Sequence, residues 1–374
     1  MFGKFARVVA GLSMAAWGVT AHAAYQLNLQ TPATKEGVSV HELHTVILVI
    51  CVVIFIGVFG AMGYAMYAHR KSKGHVAAQF HENTLVEVLW TVIPFVILVL
   101  IAWPATRTLL AMRDTAQPDL TIKATGYQWK WGYDYLSGEG EGISFLSNLA
   151  TPADQIHGTA PKGEHYLLEV DNPLVVPVGK KVRMLTTGAD VIHSWYVPAL
   201  AVKQDANPGF IRDTWFRADK EGTYRGQCAE LCGKDHGFMP IVVEVVSAEK
   251  YTAWVGERTK KVAAAAEDAD KVWDLAALKQ RGEKVYQTNC IACHQANGMG
   301  TPPAFPPLSG SKVVNGPKEA QIALELNGKQ GTAMAPFKQL SDTDLAAVIT
   351  YVRNSWANKT GEVIQPAEIK AARK

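Results

Sequence analysis

The apolar positions of this 374-residue chain fall into three patterns, and each predicts a different kind of structure. Near the N-terminus they run almost unbroken: Thr45 to Tyr67 holds 23 residues and Val88 to Thr106 holds 19, with no formal charge in either. Each run is long enough to cross a bilayer core of about 30 Å as a helix. From Asp119 to Val246 the apolar residues come in short β-rich segments instead, namely 120–124, 167–170, 182–185, 214–216 and 241–245, with Gly, Pro, Asn and Asp between them. Short strands punctuated by turn signals predict a Greek-key sandwich or barrel. After Lys271 the spacing becomes helical: Ser341 caps a run in which Leu345, Val348, Ile349 and Val352 share one face, read as the last helix of a small all-α domain. Between the second and third patterns, Glu257 to Asp270 mixes charge with alanine and reads as a polar linker or a short exposed helix.

Ahead of the first apolar run stand Lys4 and Arg7, an apolar stretch from Val8 to Val19, and Ala21-His22-Ala23. This has the form of a secretory signal, so residues 1–23 are set aside and the mature chain is expected from Ala24. His69, Arg70, Lys71, Lys73 and His75 form a basic loop between the two long runs. Such a loop belongs on the cytoplasmic side, which makes 24–112 an N-terminal segment with a two-helix transmembrane hairpin and returns everything after Arg107 to the outer face. In a bacterium that face is the periplasm, and the membrane is the inner one. Glu87 lies at the cytoplasmic mouth of the second helix. It reads either as a proton-uptake carboxylate or as a helix-start residue favoured by the dipole. The remaining expected units are a β domain over 113–256, the linker over 257–270 and a helical domain over 271–374.

Composition narrows the function. With 48% hydrophobic residues the chain is too apolar to be disordered, and 37 basic against 34 acidic residues give no global argument for nucleic-acid binding. The charge is uneven, however: residues 113–256 carry 14 basic and 18 acidic residues, a balance of −4, whereas 271–374 carry 13 and 8, a balance of +5. Two tethered domains of opposite sign are expected to dock, with a rate of exchange between them that falls as salt rises.

The five cysteines carry the chemistry. Cys51 lies inside the first apolar run and behaves as a small hydrophobe. Cys228 and Cys232 are followed by His236 and Met239, with His193 upstream. One thiolate, two imidazoles and a thioether suit an electron-transfer copper. The second thiolate changes the count, because two sulfurs can bridge two coppers, each then taking one histidine and one weaker ligand, Met239 or the Glu230 carbonyl. A periplasmic disulfide between the two cysteines leaves the histidine and methionine spacing unexplained. A membrane-anchored copper-delivery protein remains a rival, since it too uses cysteine and histidine. Cys290-Ile-Ala-Cys293-His294 is the c-type haem attachment motif, with two thioethers and an axial imidazole. Met334, 40 residues after His294, is the expected sixth ligand, in preference to Met299, which follows His294 too closely to reach the opposite haem face.

These residues carry a family resemblance. The hairpin with Glu87-Val-Leu-Trp90, then Gly126-Tyr-Gln128-Trp129, Asp190-Val-Ile-His193-Ser-Trp195 and the Cys228–Met239 loop resemble cytochrome c oxidase subunit II, and the C-terminal haem motif makes the chain similar to the caa-type variant with a fused cytochrome c. The resemblance implies a cupredoxin-like Greek-key barrel holding binuclear CuA, one covalent haem c, and oxygen reduction in a separate subunit I. It also implies that Trp129 admits electrons to CuA, that the Glu230 side chain helps bind magnesium at the subunit I contact, and that Glu87 opens a proton pathway. Subunit III, membrane lipid and a periplasmic donor such as a cytochrome c complete the expected partners, and the chain is expected to support oxygen reduction coupled to proton pumping. One departure stands out: Lys130 replaces the middle aromatic residue of the family's Gln-Trp-Tyr-Trp, which puts the donor-docking surface in question. A CuA-containing nitric oxide reductase subunit is the alternative within electron transfer.

Overall fold

The computed structural model describes residues 28–74, 76, 79–329 and 332–373. The expected signal segment lies outside these residues, as do His75 and Gly331. Helix α1 spans Lys35–Ala68 and α2 spans Thr84–Met112. Thr34 begins α1 by accepting the Gly37 amide at 2.9 Å, and Asn83 begins α2 by accepting that of Val86 at 3.2 Å. The Glu87 carboxylate accepts the Asn83 amide at 3.1 Å, so in this structure it completes the cap of α2. Phe55, Ile56, Leu98 and Trp103 are all more than half exposed. Two helices with such apolar outer faces, each long enough to span, are suited to lipid or an apolar partner. Pro94 and Pro104 sit within α2 without ending it.

Ten strands follow: β1 (Leu120–Tyr127), β2 (Lys130–Ser137), β3 (Ser144–Ser147), β4 (Leu174–Pro177), β5 (Val182–Gly188), β6 (His193–Val197), β7 (Val202–Ala206), β8 (Arg212–Phe216), β9 (Gly222–Cys228) and β10 (Pro240–Val246). They form two five-stranded sheets, ordered β3-β2-β1-β5-β8 and β4-β10-β9-β6-β7. The β1/β5 and β4/β10 pairs are parallel and the others antiparallel. Alternation along β1 and β5 sends Ile122 and Met184 inward, where they meet Trp131, Trp195, Phe216, Ile241 and Val243 in the core. Trp195 of one sheet stacks on Phe216 and donates to the Tyr133 hydroxyl of the other at 3.2 Å, so even this buried indole N–H is satisfied. A short helix, α3 (Ala153–Ile156), lies in the β3–β4 connection.

One predicted strand is corrected. Residues 167–170 form a loop in which Leu167 has φ of 60° and only Val170 makes an isolated bridge, to Leu149. Thr151 accepts the Leu167 amide and Asp171 accepts that of Asn148, so local side-chain bonds take the place of a ladder.

All but the last residue of the polar run 257–270 lies in helix α4 (Ala248–Ala269), capped by Ser247. At its start Tyr251 and Trp254 pack beside Tyr135, and the Arg258 guanidinium stands 4.8 Å over the Phe145 ring. At its end Asp268 pairs with Arg281, and Asp270 just beyond pairs with Lys370. The helix therefore acts as a strut fixed at both ends rather than a loose tether.

The last domain comprises α5 (Leu275–Asn289), α6 (Ile291–His294), α7 (Lys318–Asn327), α8 (Asp342–Arg353) and α9 (Pro366–Ala372). The Ser341 cap of α8 is present, accepting the Asp344 amide at 3.0 Å, but α8 is not the last helix: α9 follows, started by a Gln365/Glu368 capping box. Tyr286, Leu345, Val348, Ile349, Val352, Ile364 and Ile369 form its core. α5 crosses α8 at Gly282, where an added Cβ would stand 2.0 Å from the Ala347 carbonyl oxygen. Because the obstacle is backbone, Gly282→Ala should destabilise this domain by about 3 kcal/mol. Thermal unfolding followed in the haem absorption band measures the loss, and an unchanged midpoint would contradict the close crossing.

Candidate functional site

Two loops carry the chemistry. The first joins β9 to β10 and is fixed from several sides. Trp131 donates to the Met239 carbonyl at 3.3 Å, while Gln128 and Trp129 both donate to the Cys232 carbonyl, at 2.8 and 3.1 Å. With its backbone held, the loop brings six donors together. The Cys228 and Cys232 sulfurs are 3.8 Å apart, and His193 Nδ1 lies 3.9 Å from Cys228. His236 Nδ1 and Met239 Sδ lie 3.4 and 3.5 Å from Cys232, and the Glu230 carbonyl oxygen 3.4 Å from Cys228. The Glu230 side chain itself is exposed.

A disulfide needs about 2.05 Å between sulfurs, so 3.8 Å leaves two free thiols. Both are buried, with Cys228 6% and Cys232 3% exposed. Two such groups side by side cannot both ionise unaided. Donation from Cys232 holds the Cys228 thiol well below its usual range, and the Cys228 sulfur pushes Cys232 up in turn. Metal cations bridging the pair remove that conflict. Soft sulfurs, imidazoles, a thioether and a carbonyl, arranged about two bridging atoms, fit a copper pair. Their burial also argues against an exposed, exchangeable delivery site.

His193 is oriented by Asp190, whose Oδ1 lies 2.8 Å from Nε2 and so leaves Nδ1 facing the sulfurs. Burial alone would lower the pKa of this imidazole, but Asp190 and Cys228 together raise it. Gly126 makes room for the ring: a Cβ there would meet it at 2.7 Å.

The second loop is Cys290–His294. His294 Nδ1 lies 3.0 Å from the Pro306 carbonyl, which fixes that nitrogen as donor and leaves Nε2 available as an axial ligand. Burial lowers the His294 pKa, favouring the neutral ring a metal needs. Met334, partly buried, packs against the helical core, and so does Cys290. Met299 is half exposed. These residues fit a thioether-attached haem with a histidine ligand on one side.

The two loops meet. Cys293 and Phe305 pack against the β-domain core, and the Phe305 ring stands edge-on to Trp129 with centroids 6.1 Å apart. Tyr127 and Leu146 of the β domain cluster with Ala335 and Leu340, and Gln339 donates to the Tyr127 hydroxyl. Among the described residues no ion pair joins 113–256 to 271–374. The opposite charges of the two domains thus act at most at long range, and the contact itself is made of apolar packing and a few hydrogen bonds without an ion pair.

Comparison with known proteins finds three matching families along the chain. Residues 120–246 match the model of the periplasmic domain of cytochrome c oxidase subunit II, 22–108 that of its transmembrane domain, and 279–356 that of cytochrome c. Subunit 2 of the oxidase of Cereibacter sphaeroides is 42% identical over 239 residues, which cover 60% of this chain and 78% of that one. This chain belongs to the cytochrome c oxidase subunit II family. The probable subunit 2 of Rickettsia felis is 41% identical over 236 residues, 63% of this chain and 73% of that one. The crystal structure of the periplasmic domain of subunit II from Bradyrhizobium japonicum is 46% identical, covering 39% of this chain and 98% of that one with a TM-score of 0.35.

As a subunit of the haem–copper oxidase, the chain is membrane-anchored, serves electron transfer and is built to work with subunit I; its subunit II domain implies copper of the CuA type and its cytochrome domain haem c. Sequence reasoning about the ligands passed over what holds them. Gln128 and Asp190 were legible as members of the quoted motifs, Asp190 also as an acid three residues before a histidine, whereas Phe305 and Pro306 carry no local signal and act only through the tertiary fold. Asp190→Asn should cost subunit II about 10–100-fold in copper affinity, read by competition with a chelator. Unchanged affinity would remove Asp190 from the support of the site.

Proposed function

We propose that this chain is the electron-input subunit of a terminal oxidase in a bacterial inner membrane. Electrons from a periplasmic donor pass to the haem domain, then to the copper domain, then to subunit I, where oxygen is reduced to water and protons are pumped. The observation that supports this reading best is the contact between Phe305 and Trp129, each tied by a hydrogen bond at or beside it to one of the two loops. From His294 the connection runs through the Pro306 carbonyl to Phe305, across the ring edge to Trp129, and by the indole N–H to the Cys232 carbonyl. Phe305 covers Trp129, which is 9% exposed, so an outside donor has easier access to the haem domain than to this tryptophan.

Bound at these loops, haem and the copper pair each supply a one-electron couple. The chain's own residues do the rest. Cys290 and Cys293 would tether the haem, and His294 and Met334 would ligate its iron; His193, Cys228, Glu230 through its carbonyl, Cys232, His236 and Met239 would hold the coppers. The fixed backbone bonds of the 228–239 loop limit rearrangement when charge changes, which favours rapid relay. The exposed Glu230 side chain would share a magnesium ion with subunit I, and Glu87, at the inner end of α2, would open a proton path. Subunit III and a small cytochrome c are the remaining partners.

Purifying the complex that contains this chain and recording its EPR and optical spectra tests the reading. A mixed-valence two-copper signal, a low-spin haem c and turnover with oxygen are expected. Absence of the two-copper signal, or turnover with nitric oxide alone, would overturn it.

A further inference from the structure

Lys130, at the start of β2, is 7% exposed, yet among the described residues no carboxylate lies within ion-pair distance of it. A buried ammonium without a counter-ion is costly, and burial accordingly lowers the pKa of this lysine. What it touches lies in the other domain. Its Nζ donates to the Asn289 carbonyl at 3.3 Å, at the end of α5 and one residue before Cys290. It also stands 4.6 Å from the centre of the Phe337 ring, a cation–π contact. Burial pushes Glu325, on α7, up to about 7, and the Lys130 charge opposes that shift. The ammonium therefore stands beside the haem-attachment motif, on the side where the two domains meet.

We propose that Lys130 is a positioning residue that clamps the Trp129 face of the copper domain onto the chain's own haem domain and holds a positive charge beside the haem-attachment cysteines. This rests on the reading of Cys290–His294 as a haem site, which the spectra of the unaltered complex test separately. Two consequences follow from the geometry. Donation to the Asn289 carbonyl pins the end of α5, and with it the loop that places Phe305 on Trp129. A fixed cation also favours the reduced iron, which carries one positive charge fewer, so the haem potential is raised by Lys130. The aromatic residue common in the family at this position could pack here but could supply neither the charge nor three donors.

The test uses the purified intact complex bearing Lys130→Met, which keeps the stem and removes the charge, and Lys130→Arg, which keeps the charge. Haem midpoint potential is read by spectroelectrochemical titration, and backbone hydrogen exchange is followed at 289–294 and 127–131. For Lys130→Met the expected result is a lower haem potential and exchange about tenfold faster at 289–294, while Lys130→Arg stays close to the parent in both. If the methionine variant does not assemble, Lys130→Gln is measured in its place. An unchanged potential and unchanged exchange in the neutral variant, or an arginine variant as altered as the neutral one, would overturn the proposal.

Discussion

The contact of Phe305 with Trp129 joins two domains that each have a complete core of their own, and much of the remaining structure serves to hold it. The β sandwich supplies the frame for Trp129, whose indole is tied to the Cys232 carbonyl. The helical domain supplies Phe305 from a loop whose next residue, Pro306, meets His294. The α4 strut fixes the ends of both domains, so this apposition does not depend on chance encounter of a tethered module. A flexible linker would give a high effective concentration, whereas a fixed helix with an apolar contact gives a single preferred geometry.

The second constraint is electrostatic and lies within the copper loop. Two buried sulfurs 3.8 Å apart conflict with one another until cations lie between them. Hydrogen bonds from Gln128, Trp129 and Trp131 hold the loop backbone around that conflict, and Asp190 turns the correct face of His193 toward it. The chain thus presets the ligand geometry rather than leaving it to the metal. A preset site is what electron transfer requires, because less has to move when the charge changes.

Much of this was legible in the sequence, for identifiable reasons. The membrane hairpin, the sandwich and the capped helix α8 follow from hydrophobic period and cap chemistry, which are local. The donor residues follow from side-chain type at short spacing within Cys228–Met239 and Cys290–His294. Leu167–Val170 misled because its composition is that of a strand while the Leu167 amide goes to the Thr151 hydroxyl and the Leu168 amide turns back to the His165 carbonyl. Opposite charge balance suggested that the two domains dock; among the described residues they do meet, through apolar packing, a Gln339–Tyr127 hydrogen bond and one buried lysine rather than through ion pairs. Phe305, Pro306 and the destination of Lys130 depend on which surfaces meet across about 160 residues of sequence, and no periodicity encodes that. Lys130 was visible as a departure; its meaning became visible only with Asn289 and Phe337 around it.

In the proposed relay, electrons cross from the haem domain to the copper domain within one chain. The most direct measurement is photochemical injection of a single electron into the haem domain of the intact complex, with haem and copper absorption followed together in time. Haem oxidation and copper reduction should share one rate that stays constant as the complex is diluted and changes little with salt. A rate proportional to protein concentration, or copper reduced by the external donor while the haem remains oxidised, would rule that relay out.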